Sequence, residues 1–396
     1  MVTRIATAIS DIDARAWNGL IGDQTPFLRH EFLCALEQSG CAVPETGWDA
    51  RFLLHEDARG RLIGAMPLYL KSHSWGEFVF DFAWAEAYQR AGLRYYPRLV
   101  SAVPFTPVTG PRLLVTQDED QETTRQALIA AARELARELA VSSLHVLFPG
   151  ARDRPALEAA RLLPRLDCQF HWHNQGFGSF DEFLAGFTAE KRKKVRRERR
   201  RVAEAGITFM TLHGGELDQA RIGTIHRLHA ETFARHGTAP YLNVDFFHRI
   251  AQAMPESLVI ELAMLHGEAI ACSVSLRGRD TLYGRYWGAD GDHHSLHFET
   301  CYYRGIEYCI RERLAIFEPG TQGEHKLARG FVPTAVWSMH DILDPRFAAA
   351  VGDWLGRERI RRQGWLRAAA RHMPFRRDGI PARLPVDVRD CLAAED

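Results

Sequence analysis

The chain has 396 residues, 46% of them hydrophobic and 25% charged, a balance that supports a sizeable buried core and excludes a disordered tail. Fifty Lys and Arg face fifty Asp and Glu, which excludes a surface basic throughout, so any anion site must be local. No apolar run reaches membrane-spanning length and the first residues lack a signal-peptide core, so a soluble, cytoplasmic protein of two domains, or three if one is small, is expected.

Seven scattered cysteines, Cys34, Cys41, Cys168, Cys272, Cys301, Cys309 and Cys391, include no Cys-x-x-Cys pair. They read as small buried residues in a reducing compartment rather than as a disulfide framework or a zinc site. Along the chain, Phe52–Glu56 and Gly60–Lys71 predict a hairpin leading to a helix near 82–92. A helix at 121–140 and a strand at 143–148 follow. Leu258–Leu265 and Glu268–Arg277 predict a second hairpin, then a strand Thr281–Trp287 and a helix near 295–313. Gly60 and Ile63 match Gly267 and Ile270 at one constant offset, and the shared order of elements suggests a duplicated α/β domain. The expected division is 1–170, 171–345 and a helical C-terminal extension, 346–396, opened by Asp344 and Pro345 and closed by Pro374. Eleven Arg against seven acids from Arg346 onward allow a peripheral membrane contact, but Phe347, Val351, Trp354 and Leu355 fit a helix docked on the body better.

Three stretches are candidates for function. Ser179 and Glu182 form a capping signal before Phe180, Phe183, Leu184 and Phe187, whose spacing gives one buried helical stripe. Lys191–Arg201 then holds nine cations in eleven positions, broken only by Val195 and Glu198. An ordinary charge run is a solvated face. Here like charges three and four apart repel, which favours an anion on Lys193, Arg196, Arg197 and Arg200. Upstream, Trp75, Glu77 and Asp81 alternate with Phe78 and Phe80, which predicts a strand with an acidic face able to meet a substrate amine; an ordinary amphipathic strand has the same pattern. Arg94, Tyr95 and the prolines at 104, 107 and 111 predict a stiff wall beside it. His293, His297 and Glu299 lack a His-Glu-x-x-His motif, so no metal is expected.

The segment Thr188–Ile207 resembles the basic helix that opens the second domain of the Fem-type peptidyltransferases, relatives of the GNAT acyltransferases. Gly323–Phe331 resembles that family's late Phe-Lys motif. Lys71–Asp81 and Leu93–Pro111 resemble the bacterial Fem-like group of peptidoglycan biosynthesis or recognition proteins, and the likeness covers most of residues 1–345. It implies two tandem GNAT-like domains with mixed sheets flanked by helices and a cleft between them. It also implies transfer of an acyl or aminoacyl group to an amine, possibly that of a peptidoglycan precursor. The donor would be an aminoacyl-tRNA or an acyl-CoA, with no tightly bound cofactor. The GNAT pyrophosphate loop should follow Trp287, but Gly288–His297 does not fit it, which argues against acetyl-CoA. On this resemblance Lys326 is the catalytic candidate, its ammonium facing the oxyanion of a tetrahedral intermediate, with Glu324 and His325 as proton acceptors. Without it, Lys326 reads as an exposed loop lysine. Arg285, Tyr286, His297, Glu299 and Arg329 are the substrate-binding candidates of this half. No Ser-His-Asp or Cys-His signature is evident, so direct attack is expected. A non-catalytic module that binds a cell-wall precursor or nucleic acid is the alternative.

Overall fold

Two hairpins of near-continuous apolar strands organise the chain. The computed structural model describes residues 2–22, 25–117, 120–235, 237–321 and 323–376. It opens with β1 (Val2–Ala6), α1 (Ala14–Ile21), α2 (His30–Gln38), β2 (Trp48–Ala50), β3 (Phe52–Glu56), β4 (Leu62–Met66) and β5 (Tyr69–Lys71). Next come α3 (Phe82–Arg90), β6 (Arg98–Ser101), β7 (Leu114–Val115), α4 (Gln121–Glu138), β8 (Ser143–Leu147), α5 (Arg154–Ala159) and β9 (Leu163–His173). The second half holds α6 (Phe180–Ala185), α7 (Ala189–Glu204), β10 (Thr208–His213), α8 (Gln219–Arg235), α9 (Val244–Ala253), β11 (Leu258–Leu265), β12 (Glu268–Arg277) and β13 (Thr281–Ala289). After them stand α10 (Leu296–Phe298), a π-turn (Glu299–Tyr303), α11 (Arg304–Arg311), β14 (Ile316–Glu318), β15 (Val332–Ile342) and α12 (Pro345–Ala370). The fold is mixed α/β, as expected.

The chain packs as two units. One comprises the residues up to Asp167 with Val336–Arg362; the other comprises Cys168–Ala335 with the described residues from Gln363. The expected division is into three consecutive segments instead. The difference lies in β9, β15 and α12, each of which passes from one unit into the other. In the first unit Ser338–Ile342 of β15 pairs antiparallel with β8, and Val351 and Leu355 of α12 pack with Trp84, Tyr88 and Tyr95. In the second, His173 and Trp172 of β9 pair with β14, and Trp365 of α12 meets Phe170. The part of the extension beyond Arg376, with Cys391, lies outside the described residues.

Each unit repeats one strand scheme. In the first, β3 and β4 form a hairpin, β5 pairs antiparallel with β6, and β6 runs parallel to β8 after the α4 connection. In the second, β11 and β12 form the hairpin, β12 pairs antiparallel with β13, and β13 runs parallel to β14 after α11. Gly60 and Gly267 sit in the two corresponding hairpin turns at φ +76° and +86°, the left-handed region that glycine enters without strain. The duplication inferred from their spacing is therefore visible in the backbone.

The local signals act as their chemistry requires. Ser179 accepts a hydrogen bond from the Glu182 amide at 3.1 Å and starts α6. Phe180, Phe183, Leu184 and Phe187 are all buried in the second unit's core, each burial worth roughly 1.5–3 kcal/mol. The expected helix at 295–313 runs from Leu296 to Arg311 in unbroken helical backbone: Ser295, at φ +66°, precedes it, and a π-turn joins α10 to α11. Residues 75–81 are not a strand but a loop between β5 and α3, because the Lys71 ammonium and the Glu77 and Asp81 carboxylates turn inward. Among the described residues no helix is long and apolar enough to cross a membrane.

Two glycines give opposite predictions. A Cβ on Gly288 of β13 would lie 2.2 Å from the backbone carbonyl of Leu228 in α8, so Gly288→Ala is expected to lower stability by about 3 kcal/mol. Gly364 in α12 has nothing within 4 Å, and Gly364→Ala should raise stability by about 0.5–1 kcal/mol. Urea denaturation of the full chain measures both; equal effects would contradict the packing described.

Candidate functional site

In the second unit β13 and β14 stay paired for three residues only, Thr281–Tyr283 against Ile316–Glu318, while β13 continues to Ala289. The carboxyl ends of two parallel strands thus part, the place where open α/β sheets bind ligands. Arg285 and Glu318 stand where they separate, joined at 2.7 Å and almost fully buried. His171 of β9 lies 3.9 Å from Glu318 and 3.1 Å from the Gln169 amide oxygen. Burial, reinforced by the charges of Arg285 and Lys326, holds His171 down at about 3, so it is neutral.

After β14 the chain turns through Gly320 and Gly323 into a 3-10 turn, Glu324–Arg329. Gly323 has φ +109°, and a Cβ there would meet the His325 ring at 2.2 Å. This turn buries Lys326. Only 1% of Lys326 is exposed, and its Nζ donates to the Gly320 carbonyl at 2.7 Å and stands 5.9 Å from the Tyr302 ring centroid. The expected loop lysine is therefore an interior one. Burial brings its ammonium down to about 7, with Cys301 opposing and Arg285 adding to the shift.

Its predicted neighbours divide. His325 is exposed yet bonded through Nε2 to the Tyr302 hydroxyl at 2.9 Å, and burial of its ring together with Arg329 and Lys326 lowers its basicity. Glu324 faces solvent. Arg329 is buried, donates to the His325 carbonyl at 2.7 Å, and grips both oxygens of Glu198 at 2.9 Å. His297 packs between Trp287 and Tyr302, each 5.3 Å away, and burial holds it at about 4. Glu299 is buried and tied to Arg199 at 3.0 Å; burial raises its carboxyl while Arg199 opposes. Tyr286 is half-buried against the His229 ring, 4.9 Å away.

In α7, Val195, Glu198 and Val202 point inward, and Lys193, Arg196, Arg197 and Arg200 face solvent. Arg196 meets Asp181 at 2.8 Å and Arg200 lies 3.5 Å from Glu204, so part of the expected repulsion is offset within the protein. The missed residue here is Glu198. Its signal was present: it sits three after Val195 and four before Val202, on their face.

The remaining predicted residues lie in the first unit. Glu77 and Asp81 are not an open acidic face. Arg98 bonds Glu77 at 2.6 Å and Asp81 at 3.0 Å, and the Tyr95 hydroxyl donates to Asp81 at 2.6 Å. Lys71 lies 3.9 Å from Glu77 and 3.7 Å from the Trp48 ring centroid. Burial pushes Glu77 up to about 7 and Lys71 down to about 7. Arg94 and Trp75 are exposed. Neither Lys71 nor Arg98 was singled out, because nothing in their spacing marks a buried partner. Among the described residues no group of three or more His, Cys, Asp or Glu side chains could hold a metal ion.

One known family, described as peptidoglycan biosynthesis/recognition, matches residues 8–377. The chain belongs to this FemAB-like family. No curated protein is similar at a significant level. Among solved structures, the C-terminal domain of a putative lysylphosphatidylglycerol synthetase from Agrobacterium fabrum is 10% identical with a TM-score of 0.51, covering 88% of this chain and 97% of that one. FemX is 12% identical with a TM-score of 0.49, covering 89% and 100%. L-PGS from Bacillus licheniformis is 10% identical with a TM-score of 0.49, covering 85% and 98%. At 10% identity the likeness to the Agrobacterium fabrum domain is one of fold.

Lys326 makes stability depend on pH. An unfolded lysine titrates near 10.4, and the folded one at about 7. Between those values the unfolded chain holds a proton that the folded chain lacks, so the native state gains stability as pH rises. The stability of Lys326→Met relative to the native protein should therefore be highest near pH 7 and fall towards pH 10. Denaturation midpoints at both pH values test this; a constant difference would remove the buried ammonium from the account.

Proposed function

We propose that this protein is an acyl- or aminoacyltransferase that acylates the amine of a peptidoglycan precursor by direct attack. The observation that carries the proposal is Lys326, a buried ammonium at the parting of two parallel strands in a chain of the FemAB-like family. In the reaction the neutral amine attacks the donor carbonyl, the C–N bond forms, and the oxyanion draws the Lys326 ammonium away from Gly320. His325, uncharged near neutrality, takes the proton the amine loses and passes it to the departing oxygen. Arg285 orients the donor, with Glu318 holding its guanidinium. Arg329 fixes the turn through Glu198.

An aminoacyl-tRNA suits the donor role better than an acyl-CoA. The loop that enters the helix at Leu296 carries Asp290 and Asp292, whose charges disfavour a pyrophosphate at that N-terminus. The exposed cations Lys193, Arg196, Arg197 and Arg200 would hold the phosphates of the donor.

Turnover of the purified full chain with aminoacyl-tRNAs, acyl-CoAs and precursor peptides tests the proposal. Saturable precursor binding without turnover from any donor would make the protein a recognition module instead. Lys326→Ala should lower kcat by about 100- to 1000-fold with little change in donor affinity. Because the active form is charged, kcat of the native enzyme should fall as pH rises through about 7. An unaltered kcat in the variant removes Lys326 from the mechanism. Replacing Lys193, Arg196, Arg197 and Arg200 by Gln should weaken tRNA binding and flatten its salt dependence; unchanged affinity would place the donor elsewhere.

A further inference from the structure

The loop between β5 and α3 is built with its polarity inverted. Its carboxylates lie inside: Glu77 and Asp81 are 2% exposed, share Arg98, and Asp81 also accepts from the Ser74 hydroxyl at 2.7 Å. Large rings lie outside, two on the loop and one on the first residue of α3: Trp75 is 58% exposed, Phe80 56% and Phe82 45%. Every exposed Trp or Phe among the described residues falls within these eight positions. Their rings adjoin, with Trp75 and Phe82 centroids 5.9 Å apart and Phe80 and Phe82 6.3 Å apart.

The display is held firmly. Arg165 donates to the Phe80 carbonyl at 2.8 Å and is itself clamped by Glu358 at 3.0 and 3.1 Å, and the Phe105 amide donates to the Gly76 carbonyl at 3.0 Å. Buried ion pairs are poor sources of stability, and a loop that spends its carboxylates inside while wetting its aromatics is otherwise unfavourable. The same face continues along α3 through exposed Ala83 and Ala87 to Leu93, and the cations Arg90 and Arg94 stand at its edge. Glu86 partners Arg90 on that helix.

We infer that Trp75, Phe80 and Phe82 form a docking surface for an anionic phospholipid bilayer, with the rings entering the headgroup boundary and Arg90 and Arg94 meeting lipid phosphates. The rings project from one rigid loop and the start of α3 rather than lining a groove. Small alanines let the helix lie close behind them, and flanking arginines match an anionic interface. This holds whether or not the chain transfers acyl groups.

The test uses the full chain and vesicles of phosphatidylcholine alone or mixed equally with phosphatidylglycerol, separated by sedimentation. The native protein should bind the mixed vesicles, and Trp75→Ser, Phe80→Ser and Phe82→Ser together should reduce the bound-to-free ratio at least about tenfold. Arg90→Gln with Arg94→Gln should weaken binding to the mixed vesicles, most at low salt, and leave the phosphatidylcholine vesicles unaffected. Quenching of the native protein's tryptophan fluorescence by brominated lipid, lost in Trp75→Phe, reads the same contact if the triple variant fails to fold. Absence of vesicle binding, binding unchanged by the triple variant, or self-association that the triple variant abolishes while vesicles are ignored would each overturn the inference; the last would assign the face to a second copy.

Discussion

A charge inside a protein must find a partner there, and that constraint shapes the second unit around Glu198. Nine cations in eleven positions give α7 no apolar face of its own beyond Val195 and Val202. The acid between them supplies the anchor. Both Glu198 oxygens are held by Arg329, and the Tyr303 hydroxyl bonds it as well. Arg329 in turn holds the His325 carbonyl, so the basic helix and the turn bearing Lys326 share one buried ion pair. Removing either partner would strand the other charge, at about 3–5 kcal/mol.

The first unit meets the same constraint with another result. Arg98 collects Glu77 and Asp81 beneath a loop, and the loop's aromatic side chains are turned to solvent as a consequence. Alternation alone does not separate this arrangement from a strand. The pattern Trp75, Glu77, Asp81 against Phe78, Phe80 is consistent with either, and the deciding cation lies 17 residues beyond Asp81 in a strand of its own.

What was legible in the chain was local. Hydrophobic period and caps located α6 and α12, because each depends on residues within a turn or two, and the matched glycines at 60 and 267 disclosed the repeated hairpin. The exchanged strands were not legible. That β15 completes the first unit's sheet and β9 the second's depends on pairings with distant partners, such as Met339 with Val146 and Trp172 with Phe317. Lys326 illustrates the limit most sharply. Its neighbours Glu324, His325 and Arg329 look like a solvated loop, and only the glycines at 320 and 323 hinted that the chain turns tightly enough to carry the lysine inward.

The repeat also explains why chemistry is expected in one unit rather than in both. Each has a parallel pair of strands that stays in register for three residues. In the first, the pairing ends at Ser101 and Val146, side chains that carry no charge, and that unit's ion pairs gather around Arg98 at the opposite, amino end of β6. In the second, the corresponding place holds Arg285, Glu318 and Lys326, charges assembled where strand pairing ends. Acyl transfer to an amine passes through an intermediate whose negative charge must be met by a fixed positive one. On the proposed function, a duplicated frame that leaves one such place uncharged and sets an ammonium of pKa about 7 beside the other puts the reaction in its second half.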